Sequence, residues 1–169
     1  MTIVVEDGSG KPDAEVYCDR EFADIYHSKR GNSAWDVLDL EVKEQCLVKA
    51  TDYMLATYQG QWKGMRRLTT QSLDWPRNGV LLDEFEGTVN VPYYIVPDEV
   101  KKACAELALR AVSGPLLQDL GQTVTEETVG PLTVKYDKDS SRQVSYPTVV
   151  RSLSKYFKRS GNNLKLLRV

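Results

Sequence analysis

"VPDEVKKACAELALRAVSG", residues 96–114, decides the fold. Val100, Ala103, Cys104, Leu107, Ala108 and Ala111 recur with the 3.6-residue period of an amphipathic helix. Pro97 stands in the first turn, where its missing N–H costs nothing. Asp98 and Glu99 complement the positive end of the helix dipole. Ala105, Leu109 and Val112 add a second apolar stripe. A helix apolar on two sides is expected at the centre of a bundle, and Gly114-Pro115 ends it, with one further turn through Leu120.

Working outward, the pattern repeats upstream. Cys46, Leu47, Ala50, Tyr53 and Met54 share one face of a helix expected over 39–58 and stopped by Gly60. Asp19 is a good N-cap for another helix that runs to Gly31, with Phe22, Ile25 and Tyr26 as its stripe. Residues 32–38, with Trp35, read as a connection. Residues 1–14 hold Gly8, Ser9, Gly10 and Pro12 and read as a flexible N-terminus.

Downstream, the period changes. In "QTVTEETVGPLTVKY", residues 122–136, β-branched residues flank Gly130-Pro131, which predicts a β-hairpin. A fourth helix follows Pro147, with Val149, Val150, Leu153, Tyr156 and Phe157 toward one side. Ser160-Gly161-Asn162-Asn163 ends it, and "LKLLRV" closes the chain. The expected fold is mainly α: a bundle of about four helices, a small β-hairpin, a long irregular loop at about 69–96 and an extended C-terminal arm. The expected divisions are 1–14, a helical body at 15–145 and a C-terminal helix with a basic docking arm at 146–169.

Charge is divided unevenly. Beyond Asp139 there are seven Lys or Arg and no Asp or Glu, which leaves 15 basic against 24 acidic side chains in the body. An acidic body with a basic arm speaks to partners rather than to fold. No stretch approaches the roughly 20 apolar residues of a membrane span. The N-terminus lacks the basic and apolar regions of a signal peptide, so an intracellular origin is expected. Cys18, Cys46 and Cys104 are far apart with no CxxC, against a disulfide framework or a zinc site. Core packing is the expected role of Cys46 and Cys104.

No catalytic constellation stands out. His27 reads as an ordinary surface or interface residue, because acid–base work needs positioned partners. The motifs of phosphate-binding loops, dinucleotide folds, zinc proteases and nucleophile elbows are missing. "DEFE", residues 83–86, reads as a solvated acidic loop. No enzyme activity, cofactor or metal is expected.

Two stretches raise the question of nucleic acid. Trp62, Lys63, Arg66 and Arg67, followed by Trp75 and Arg77, mix aromatic and cationic side chains as a single-strand binder does. The other reading is that both tryptophans anchor loops to the core. Pro76 biases Trp75 to an extended backbone and Asn78-Gly79 suits a turn, which favours a rigid loop. Arg77 is left open between a neighbouring subunit, a channel and water. Tyr93, Tyr94 and Ile95 are costly to expose in a monomer and suggest a short strand or an interface.

"YCDREFADIYHSKRG" followed by Trp35, then "KATDYMLATY", "LDWPRNGV", "VPDEVKKACAELAL" and "VGPLTVKY" occur in an order that resembles a group of tailed-bacteriophage proteins. These are labelled DnaT-like single-stranded DNA-binding proteins and are also similar to small head–tail connector, or adaptor, proteins. The resemblance covers nearly the whole chain. Val96 stands where isoleucine is frequent, and Cys18-Asp19 where a small residue and serine are common.

The resemblance implies a structural subunit of the virion. Its partners would be the portal protein, further copies of itself in a ring that is typically twelvefold, and tail or stopper proteins. Double-stranded DNA would pass through the ring without specific binding, and no membrane is involved. Portal docking would fall to Arg151, Lys155, Lys158, Arg159, Leu164, Leu166, Leu167 and Arg168. Trp75, Arg77, Tyr93 and Tyr94 would serve subunit or tail contacts. Removing 146–169 is expected to abolish portal binding and leave a folded helical body. The alternative, single-stranded DNA binding, would use Trp62, Lys63, Arg66 and Arg67.

Overall fold

The structure, a computed structural model, describes residues 3–84, 87–117, 126–129, 132–135 and 145–158. The fold is mainly α with small antiparallel strand pairs. Helix α4, Asp98–Ala111, is its axis. Val100, Ala103, Cys104, Leu107, Ala108 and Ala111 are all buried, as the first stripe requires. The second stripe is only partly used: Ala105 is buried, Leu109 is half-buried and Val112 is exposed. Three helices pack around α4: α1 (Arg20–Ser28), α3 (Leu40–Tyr58) and α5 (Pro147–Leu153). Pro97 sits at the N-cap, one position before the first turn, with an extended ψ of 145°.

Asp19 caps α1 as expected, and its Oδ1 accepts the Phe22 N–H at 2.7 Å. The connection at 32–38 instead contains a one-turn helix, α2 (Ser33–Asp36), which makes five helices in all among the described residues. Trp35 on α2 is fully buried, and its Nε1 donates to Asp24 at 2.7 Å. Lys43 of α3 donates to the same carboxylate at 2.9 Å. One acid therefore ties α1, α2 and α3 together.

His27 corrects the sequence reading. It is fully buried, with Nε2 3.0 Å from the Ala105 carbonyl and Nδ1 3.0 Å from the Asn32 amide nitrogen. A carbonyl can only accept, so Nε2 carries the proton and Nδ1 accepts from Asn32. Burial lowers its pKa, and the imidazole packs α1 onto α4 in neutral form.

The N-terminus is also unlike its reading. Residues 3–18 form a packed hook, with Val5 and Val16 bridged in parallel and Glu6 buried. Glu6 Oε1 accepts the N–H groups of Gly8 and Gly10 at 2.8 and 2.9 Å, and Oε2 accepts that of Lys11 at 2.8 Å. The Gly and Pro content reflects a tight turn around a carboxylate rather than a loose lead.

The 69–96 segment is less irregular than expected. Strand β1 (Met65–Arg66) pairs with β2 (Arg77–Asn78), and β3 (Leu81–Glu84) pairs with β4 (Gly87–Asn90), both antiparallel. The downstream hairpin appears as β5 (Glu126–Val129) and β6 (Leu132–Lys135), with Val129 opposite Leu132 around the Gly130-Pro131 position.

The expected boundary at 146 also moves. Val149, Leu153 and Tyr156 are buried against the body. A short 3-10 turn, Ser154–Tyr156, continues α5. Lys63 N donates to Tyr156 O at 2.8 Å, and Lys158 N donates to Gln61 O at 2.7 Å. Residues 146–158 thus complete the core, and removing them would open it. Arg159, Leu164, Leu166, Leu167 and Arg168 lie outside the described residues. Among the described residues, no helix is long and apolar enough to cross a membrane.

Candidate functional site

Two regions hold the residues singled out from sequence. The first is a buried cluster beneath the loop at 59–80. Trp62 and Trp75 meet edge to face at 5.6 Å between ring centres. Trp75 packs the same way on Tyr156 at 5.4 Å, and Trp62 lies 4.9 Å from Phe157. Both tryptophans are buried, at 1% and 0% exposure. Trp62 Nε1 donates to Asp74 at 3.1 Å. Neither indole presents a face to solvent, so neither is a stacking platform or a subunit contact in this conformation.

Arg77 is buried in the same cluster, at 7% exposure. Its Nε donates to Lys63 O at 2.8 Å, Nη1 to Asp74 O at 3.0 Å and Nη2 to Gly64 O at 2.9 Å. The Asp74 carboxylate lies 4.0 Å away. Burial lowers the Arg77 pKa while Asp74 opposes that shift. Burial likewise raises Asp74 against the pull of Arg77. Each charge offsets part of the other's desolvation, and the guanidinium fork closes the loop on three carbonyls. The question left open for Arg77 is answered: it faces the interior.

Gly64 makes this closure possible. It holds φ +63, and a Cβ there would lie 2.1 Å from Asn78 O. Gln71, also buried, bridges the same loop by donating to Leu73 O and Pro76 O at 2.7 and 3.1 Å. The Trp75–Pro76 peptide bond is cis.

The second region is exposed. Tyr93 and Tyr94 are 51% and 58% exposed and pack edge to face at 5.4 Å. Arg67 lies over the Tyr93 ring at 5.3 Å and donates to Gly8 O at 2.6 Å. Met65 and Leu68, which flank Arg67 in the sequence, are exposed at 69% and 42%. An aromatic pair with a cation at its edge is the composition of a binding hot spot.

The other basic candidates are scattered. Lys63 Nζ donates to Leu81 O at 2.9 Å, and Lys158 Nζ to Gly60 O at 3.0 Å. Lys155 pairs with Glu99 at 2.8 Å, and Tyr156 donates to the other oxygen of that carboxylate at 2.8 Å. Burial would raise the Glu99 pKa, but the Lys155 and Tyr156 hydrogen bonds outweigh it and bring it to about 2. Arg151 is exposed. Arg66 is half-buried, and its Nε has no partner among the described residues. Trp62, Lys63, Arg66 and Arg67 therefore do not form one surface.

Among the described residues, no group of three or more His, Cys, Asp or Glu is placed to hold a metal ion. Sequence reasoning missed the Glu6 anchor, whose signal is an acid followed by two nearby glycines.

No match was found among curated proteins or among solved structures. The sequence model of a family described as putative DnaT-like ssDNA binding protein matches residues 1–169. The chain belongs to that family.

Proposed function

We propose that the chain is a structural subunit of a phage head–tail junction, without catalytic activity. In this reading it assembles in the host cytoplasm as a ring beneath the portal and joins the capsid to tail or stopper proteins. Double-stranded DNA passes through the ring. The observation that carries the reading is the burial of Trp62, Trp75 and Arg77, which spends on architecture the aromatic–basic residues that single-strand binding would use. The acidic body supports it too, since like charge keeps passing DNA from adhering. Tyr93 and Tyr94, with Arg67 beside them, are the subunit or tail contact. Arg151 and the basic, leucine-rich residues beyond 158 are the portal contact.

Electron microscopy of the protein mixed with its portal tests this. A ring coaxial with the portal is expected. Truncation after Lys158, which spares the buried Tyr156, should abolish the ring on the portal without unfolding the body. Full binding by that truncated chain, or no ring at all, would overturn the assignment.

Single-stranded DNA binding remains the second reading, and the exposed Arg67–Tyr93–Tyr94 cluster is the observation that favours it. Bases would stack there, not on the tryptophans. Salt-sensitive binding to a short oligothymidylate that Tyr93→Ala and Tyr94→Ala weaken would support it. No binding at low salt would end it.

A further inference from the structure

Helix α3 has 19 residues, from Leu40 to Tyr58, so its ends lie about 27 Å apart. Each end carries exposed apolar side chains, and the charges beside them differ in sign. At the start of α3, on the turn from α2, Val37 is 81% exposed and Leu40 is 59% exposed. They are three residues apart in the chain, so their Cα atoms lie within about 11 Å. Asp39 between them and Asp36 and Glu41 beside them are exposed. Asp39 stands at the N-cap, yet its side chain makes no capping hydrogen bond. Lys43 is the one base within 36–44, and it is buried against Asp24 at 2.9 Å. The acids of this turn therefore have no basic side chain from their own stretch beside them at the surface.

The other end of α3 leads to the tyrosine pair. The Tyr58 ring lies 5.9 Å from Trp62, and Trp62 lies 5.6 Å from Trp75. Pro76, next in the chain, accepts the Arg67 N–H on its carbonyl oxygen at 3.1 Å. These contacts carry Arg67, and Tyr93 beneath its guanidinium, to the Tyr58 end of the helix. Residues 53–73 contain no Asp or Glu. The Arg67 side chain bonds to the Gly8 carbonyl, which has no net charge to cancel its own.

We propose that the Arg67–Tyr93–Tyr94 patch of one copy docks on the Val37–Leu40 turn of the next. The occupant is a second copy because this chain carries both halves of the match: apolar groups with a cation at one end, apolar groups with acids at the other. Burial of Val37, Leu40, Tyr93 and Tyr94 supplies the affinity. Arg67 facing Asp36, Asp39 and Glu41 sets the orientation. Two different patches meet, so the contact is heterologous and propagates head to tail until it closes. The inference rests on the reading of Tyr93 and Tyr94 as a subunit contact and adds the surface that they meet.

The test follows the full chain alone, without portal, by sedimentation velocity at rising concentration. The wild-type chain should self-associate, and less so at high salt. Two variants each reverse one patch: Asp39→Lys with Glu41→Lys, and Arg67→Glu. Each by itself should associate roughly tenfold more weakly or worse, since like charges then face each other. An equimolar mixture of the two should assemble again, because every contact between unlike copies pairs opposite charges. A folding defect cannot give that rescue. Val37→Ser with Leu40→Ser, at exposed positions that the core does not need, should also weaken association roughly tenfold or more. This pair keeps the test alive should a charge variant fail to fold. A wild-type chain that stays monomeric, a mixture no better than its components, or a serine variant that associates like the wild type would each overturn the proposal. The adaptor reading would still stand if the wild-type chain formed its ring on the portal, and would fall separately if it did not.

Discussion

A Cβ placed on Gly8 would lie 2.0 Å from the backbone oxygen of Tyr94. Gly8 also holds φ +101, a conformation that side chains strain to adopt. The exposed tyrosine turn therefore rests on a residue that must be glycine. Gly8→Ala adds a clash with backbone, which cannot rotate away, to about 1–3 kcal/mol of conformational strain. The expected outcome is a fall in melting temperature on the order of 5 °C, with faster hydrogen exchange at residues 92–96. Gly79→Ala is the control, since Gly79 has φ +68 but a Cβ there would meet nothing within 4 Å. Its fall should be smaller, and exchange at 92–96 should not change.

Arg77→Lys keeps the charge and removes the fork. One ammonium cannot reach the carbonyls of Lys63, Gly64 and Asp74 with the guanidinium's geometry. A loss of about 2–4 kcal/mol is expected in urea unfolding, because buried acceptors are left without donors. A loss below about 0.5 kcal/mol would show that the loop closes without it.

These two positions show where the sequence was legible and where it was not. The α1 cap at Asp19, the α4 stripe and the hairpin at 126–135 rest on neighbours within a few residues, so local pattern finds them. Arg77 is different. Its partners at Lys63 and Gly64 lie across the β1–β2 pair, and only the folded chain brings them to it. A surface arginine and a buried one read alike until those carbonyls converge. His27 follows the same logic, since its partner Ala105 is on another helix. The flexible reading of residues 1–14 rests on glycines, which signal turns without saying what the turn wraps. The candidate site divided accordingly: Tyr93 and Tyr94 are exposed, whereas Trp62, Trp75 and Arg77 are interior.

The Glu99 link between α4 and the turn after α5 makes acid stability sensitive to Lys155. The folded pKa of Glu99 is about 2, below its ordinary 4.5. A depressed carboxylate stabilises the fold fully above about pH 4.5. That contribution is lost as pH falls from there through about 2. The Glu99 side chain is 35% exposed, so solvent screening holds the contribution to about 1 kcal/mol or less. Glu99→Gln should remove this part of the pH dependence, measured as urea midpoints between pH 2 and 6. Lys155→Ala should reduce it and leave the Tyr156 share.

Substitution of the two aromatic groups separates architecture from contact. Trp75 is enclosed by Trp62 and Tyr156, so Trp75→Ala should cost about 3–5 kcal/mol of stability. Tyr93 and Tyr94 are half exposed or more, so Tyr93→Ala with Tyr94→Ala should cost little stability. Partner binding should show the reverse order. The tyrosine double variant should lose ring assembly on the portal, measured by electron microscopy and by sedimentation, while its circular dichroism stays unchanged. Trp75→Ala, at a temperature where it remains folded, should still assemble. Were the tyrosine variant to assemble normally and lose oligothymidylate binding instead, the exposed cluster would belong to nucleic acid and the adaptor contact would have to lie elsewhere on the body.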